Sequence, residues 1–180
     1  MDLKKVIPGL LAALLSGCAA STADIPAVRD FELERYLGTW YEIARLPHRF
    51  ERDLDFVRAE YSRNSDGSVK VVNTGVRDGE ARTALGRAVP KDPGAKPPTG
   101  ELRVSFFRPF YADYRIIELD PEYRYAVVTG STRDHLWILS REPVMAKPRL
   151  SAILDRVKKL GFAVEKLEFP RQRSADSGAL

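Results

Sequence analysis

The stretch Gly38-Thr39-Trp40-Tyr41-Glu42-Ile43-Ala44-Arg45 decides how the rest of the chain is read. It follows a short helical lead-in at residues 30–37 (DFELERYL), and from Trp40 the apolar period becomes two, as in a strand. The same period recurs downstream. Residues 57–61 alternate cleanly and end at the turn signal Asn64-Ser65-Asp66-Gly67. Residues 69–76 and 81–89 form two more candidates, joined by Arg77-Asp78-Gly79-Glu80. Residues 90–100 (PKDPGAKPPTG) must be a loop. Four candidates follow at 101–107, 114–119, 125–129 and 136–140, linked by 108–113, 120–124 and 130–134. Strands this close, without helices between them, pair as an antiparallel meander and not as βαβ units. Eight of them suffice to close a barrel, which removes both sheet edges.

Only then does a helix appear. Leu150, Ile153, Leu154, Val157 and Leu160 recur at helical spacing, with Pro148 in the first turn and Gly161 suited to the C-terminal cap. A single apolar stripe packs such a helix on the outside of the sheet. The expected fold is therefore all-β: an eight-stranded up-and-down antiparallel barrel with a C-terminal α-helix on its outer wall. Residues 162–169 alternate loosely and suggest a last strand, and residues 171–180 read as a disordered tail.

Outward in the other direction, the N-terminus carries a basic pair, Lys4-Lys5, then the apolar run VIPGLLAALL, then Ser16-Gly17-Cys18. That is the layout of a secretory signal, and the run is too short to span a bilayer as a helix. Leu15-Ser16-Gly17-Cys18 resembles the lipobox of bacterial lipoproteins, in which the cysteine is acylated after the signal is cut. The resemblance implies that residues 1–17 are a signal peptide, that Cys18 is lipidated and that residues 18–29 are a tether. Several acyl chains anchor stably where one holds weakly. Ala19, where an aspartate would favour retention at the inner membrane, implies the outer membrane, with the barrel facing the periplasm.

Composition narrows the function. The chain has 180 residues, 44% of them apolar, a net charge of +4 and one cysteine. One domain is expected, and an intramolecular disulfide or a multi-cysteine metal centre is excluded. The basic excess is mild and has no run of five like charges, so no nucleic-acid partner is expected. No nucleophile elbow or phosphate-binding glycine loop occurs, so neither an enzyme nor a cofactor is expected.

The Gly38-x-Trp40 motif, its place at the head of an eight-strand meander and Arg141 after Leu136-Trp137-Ile138-Leu139-Ser140 together resemble the lipocalin family. The turn between strands six and seven, where the family has Thr-Asp-Tyr, here reads Leu119-Asp120-Pro121, so only Asp120 matches. Residues 36–52, 104–111 and 135–141 are similar to the bacterial members of the family, which are outer-membrane lipoproteins. The resemblance makes Gly38, Trp40, Asp120 and Arg141 structural signatures, with Trp40 plugging the closed end beneath the Arg141 guanidinium. The alternative is that Trp40 touches ligand.

The family pattern with period two places Ala44, Val104, Phe106, Tyr114, Ile116, Ala126, Val128, Trp137 and Leu139 on the inner wall, a lining suited to an acyl chain. Fatty acids or lysophospholipids are the implied ligands, for lipid storage, transport or membrane maintenance under stress. The blander reading is that these side chains merely fill the barrel. Glu42 and Glu118 share the inward parity; a buried carboxylate needs a donor such as Tyr114, Arg45 or Arg141, unless both lie solvated near the rims. Two rival readings stand. A haem- or pigment-binding lipocalin would need His48 or His135 inside the barrel, whereas both read as loop residues. A structural lipoprotein without ligand would use Phe106-Phe107-Arg108-Pro109-Phe110-Tyr111 as a partner or homodimer surface.

Overall fold

The computed structural model describes residues 20–48 and 52–172. Eight strands, β1 (Gly38–Arg45), β2 (Asp55–Arg63), β3 (Val69–Arg77), β4 (Glu80–Pro90), β5 (Glu101–Phe107), β6 (Phe110–Leu119), β7 (Tyr125–Thr129) and β8 (Leu136–Ser140), pair antiparallel in chain order. β8 returns to β1 and closes the barrel. A one-turn helix, α1 (Leu33–Tyr36), precedes β1, and α2 (Lys147–Lys159) follows β8.

Two apolar clusters hold the fold. The inner one gathers Phe31, Tyr36, Trp40, Tyr61, Ile116 and Leu139 around the end where β1 begins. The outer one packs Ile153 and Val157 of α2 against Ile43, Val127, Leu136 and Ile138 on the back of the wall. The helix stops because Gly161 takes the left-handed conformation, φ +86°, which costs a glycine little. α1 covers the end where β1 starts. The end where β1 finishes is the mouth, ringed by residues 46–48 and 52–54 and by the turns 77–80, 107–110 and 130–135.

Four expectations need correction. Residues 162–169 form no strand; they make a 3₁₀ turn at Val164–Lys166 and one bridge, Arg45 with Glu168. The loop expected at 108–113 shrinks to a tight turn, because Phe107 pairs with Phe110 and β6 starts there.

Residues 20–29 are not a free tether. Ser21 bridges Thr132, the Thr22 hydroxyl donates to the Gly130 carbonyl at 2.7 Å, and buried Arg115 donates to the Ile25 carbonyl at 2.7 Å. Farther on, the Val28 amide donates to the Ile116 carbonyl. A polar composition concealed this strap because its partners are backbone groups and an arginine. Cys18 and the signal segment lie outside the described residues.

The start of the expected tail is also held. The Phe56 amide donates to the Arg171 carbonyl, and Gln172 Nε2 donates to the carbonyls of Glu42 and Val57 at 2.8 Å each. β1 and β2 pair only over residues 38–41 and 58–61, so 168–172 fill the seam where they part. Residues 173–180 lie outside the described part.

Candidate functional site

The cup interior is set by which face each strand turns inward. Ile116, Ala126, Val128 and Leu139 are buried in the inner cluster, and Val104, Tyr114 and Trp137 pack against it. Phe106 is half-open at the mouth end of β5. Its ring lies 2.8 Å from where a Cβ on Gly86 would sit, so glycine lets the aromatic ring lie flat on β4. β4 contributes Ala84, Gly86 and Ala88, which pair with Asn73, Val71 and Val69.

Ala44 does not join this wall. Glu42 pairs with Leu139, but Ala44 pairs with Ile138, so β1 carries one extra residue, a bulge at Ile43. The bulge resets the alternation: Ala44 packs in the outer cluster under α2, and Arg45 turns in beside Trp137. A second register shift, between Ile116 and Glu118, likewise turns Glu118 outward, where it accepts from Tyr125 at 2.9 Å and is gripped by Arg156 of α2. Both misplacements come from carrying period two through a bulge.

Glu42 does face inward and is buried. Arg45 Nη1 donates to Glu42 Oε1 at 2.7 Å and its Nε to Glu168 Oε2 at 3.0 Å. The pair sits at the rim, beside a cleft of about 330 Å³ bounded by Asp53, Leu54, Asp55 and residues 168–170. His48 and His135 converge on Trp137, the former edge-on at 5.3 Å and the latter stacked at 6.0 Å between centroids. Burial, with His48 close by, lowers the His135 imidazole below its ordinary value, against Asp134. Among the described residues, no group of three or more His, Cys, Asp or Glu side chains converges as metal ligands.

The floor is aromatic and hydroxylic. Trp40 is fully buried and donates from Nε1 to the Tyr36 carbonyl at 2.8 Å. The Arg141 guanidinium lies 3.9 Å from its ring centroid and donates to the carbonyls of Thr39 and Arg35 at 2.8 and 2.7 Å. Gly38, at φ +93°, lies beneath it; a Cβ there would come within 3.3 Å of Arg141 Nη1. Above, the Tyr114 hydroxyl meets those of Tyr36 at 2.7 Å and Tyr61 at 3.1 Å. Burial pushes the phenols of Tyr36 and Tyr114 well above their ordinary value, so both stay protonated. Asp120 caps the β6–β7 turn, accepting from the amides of Glu122 and Arg124 and from the Arg124 guanidinium, which holds its carboxyl below the usual range.

Sequence reasoning missed Tyr36, Tyr61, Asn73 and the small-residue wall of β4. Tyr61 was within reach, since it shares parity with Val57 and Ala59. Asn73 Oδ1 is enclosed on the inner face without a hydrogen-bond partner among the described residues, and no local pattern marks it.

Comparison with known proteins gives a consistent picture. Residues 31–172 match the lipocalin-like domain. The chain is 42% identical to the outer membrane lipoprotein Blc of Citrobacter freundii, covering 97% of this chain and 100% of that protein. To the outer membrane lipoprotein Blc of Vibrio cholerae it is 41% identical, covering 91% and 96%. In fold it resembles insecticyanin from the tobacco hornworm Manduca sexta, at a TM-score of 0.70 with 22% identity, covering 88% and 89% of the two chains.

Proposed function

The chain belongs to the lipocalin family, and from that premise we propose that it holds a single-chain lipid, a fatty acid or lysophospholipid, in its barrel while anchored to the outer membrane through acylated Cys18. Lipocalins bind and carry; they do not catalyse. The observation that carries the proposal is an inner wall of mainly apolar side chains above a hydroxylic floor, with an ion pair toward its rim. Val104, Ile116, Ala126, Val128 and Leu139 offer hydrocarbon, Phe106 extends it to the mouth, and the buried Glu42–Arg45 ion pair is the polar feature nearest the rim. An acyl chain lies along the wall and a head group stays at the rim. Of the expected ligand set only Ala44 is left out, for the reason given above.

The relatives named outer membrane lipoproteins support the anchor and its membrane. A barrel on the periplasmic face, acting in storage, transport or maintenance of the membrane, fits that address. Displacement of a fluorescent fatty acid from delipidated protein tests the ligand. Saturable binding tighter than about 10 μM, about −7 kcal/mol, is expected, and weaker or unsaturable uptake overturns the reading.

A further inference from the structure

We propose that the mouth of the barrel faces, and rests on, the membrane leaflet that carries the anchor, with the β5–β6 turn as its contact. The inference rests on the anchoring of Cys18 proposed above and adds an orientation and a docking surface to it.

Two independent observations meet at one rim. The first is where the chain leaves the body. The Arg133 amide donates to the Ala20 carbonyl at 2.8 Å, the Thr22 amide donates to the Ser131 carbonyl, and Ser21 bridges Thr132. The N-terminal strap is thus fastened to the β7–β8 turn, at the mouth. Only Ala19 lies between Ala20 and Cys18, and those two residue steps reach at most about 7 Å when extended. An acyl chain on Cys18 therefore draws the mouth, and not the Trp40 end, against the bilayer.

The second is what that rim exposes. Phe107 and Phe110 are 75% and 78% exposed, the two most exposed large apolar side chains among the described residues, and they pair across the tip of the adjacent turn with Arg108 between them. Apolar rings this bare cost free energy in water. Aromatic rings with a neighbouring cation suit the head-group layer, where ring and charge are both accommodated. At the same end α2 finishes in Lys158 and Lys159, both exposed, which suits anionic lipid. Docked this way, the cup opens onto the source of its ligand.

The test uses the full-length lipidated protein in vesicles of phosphatidylethanolamine and phosphatidylglycerol, its acylation read first by intact mass. An environment-sensitive dye is placed on Phe107→Cys at the mouth or on Val144→Cys, which is exposed at the far end. On docking, the dye at 107 shifts to shorter wavelength and loses intensity to a spin-labelled lipid, while the dye at 144 does neither. Quenching at 144, or at neither position in acylated protein, overturns the orientation. A shift at 107 already present without vesicles assigns the turn to a second copy of the chain and also overturns it. If the mass shows no acyl group, the anchoring reading fails on its own. The same dyes are then read on protein held to nickel-bearing vesicles by a histidine tag replacing residues 1–18, so that the introduced cysteine is the only thiol; quenching at 107 alone supports the docking surface, and quenching at 144 overturns it.

Discussion

Glu42 and Arg45 stand three positions apart on one strand, yet their side chains meet inside the barrel, 2.7 Å apart and almost fully withdrawn from solvent. A regular strand sends positions i and i+3 to opposite faces. The bulge at Ile43 supplies the missing half-period, so both ends of a buried ion pair come from the same eight residues. One side chain then helps satisfy the charge the other brings into the wall.

Removing one partner leaves the other's charge in the wall. Arg45→Met should lower unfolding free energy by about 3 kcal/mol, since a broken buried pair costs more than its formation contributes, and Glu42→Gln should cost less, because Glu168 still meets Arg45 at 2.9 Å. Glu42→Gln with Arg45→Met should be less destabilised than the two single changes added together. Urea unfolding of the three variants measures this, and strict additivity would show that the two side chains are not coupled.

At the closed end, Arg141→Ala removes hydrogen bonds to the carbonyls of Thr39 and Arg35 and the cation over Trp40. A loss of about 2–4 kcal/mol is expected. Arg141→Lys should fall between, because an ammonium keeps the charge but lacks the planar fork. In a Trp137→Phe background, Trp40 emission should move to longer wavelength in Arg141→Ala as its ring meets water.

Ala84 and Leu85 are neighbours on β4 that face opposite sides of the wall. Ala84 pairs with Asn73, and Asn73 with Ala59, which packs against the inner cluster; Leu85 points to solvent. Ala84→Trp should fill the cup and weaken fatty-acid binding at least about tenfold, near 1.4 kcal/mol. Leu85→Trp should leave binding unchanged. Equal effects from the two would remove the ligand from the cup.

His135 makes stability depend on pH. Its folded value lies below the unfolded 6.5, so folding favours the neutral imidazole. The unfolded chain therefore binds more protons between the two values, and stability falls as pH drops through 6.5 toward the folded value. Above that window the group contributes no slope. Thermal unfolding at pH 7.5 and pH 5 should show the decline, and His135→Asn should make it shallower. An unchanged slope in the variant would assign it elsewhere.

Much of this was legible locally. Alternation along a strand is a property of a few consecutive residues, so the count and order of the strands and the outer helix could be read directly, whereas Trp40 and Arg141 were marked by the family resemblance. Extrapolation failed where a non-local demand intervened. Ala44 and Glu118 went to the wrong face because bulges arise when a strand must match neighbours of a different register, and nothing within β1 or β6 announces them. Residues 20–29 and 171–172 looked like free ends because their partners, Arg115, Ile116, Val57 and Glu42, lie a long way off in sequence.

The sequence by itself determined that the chain closes into an eight-stranded barrel, because side-chain period and short connections admit little else, while the plugging of its floor by Trp40 was implied by the family resemblance. Only the tertiary structure decided which residues face the cup, that Glu42 is met there by Arg45, and that the N-terminal strap leaves from the mouth. Those features depend on register and on backbone hydrogen bonds between distant segments, and a linear pattern of side chains encodes neither.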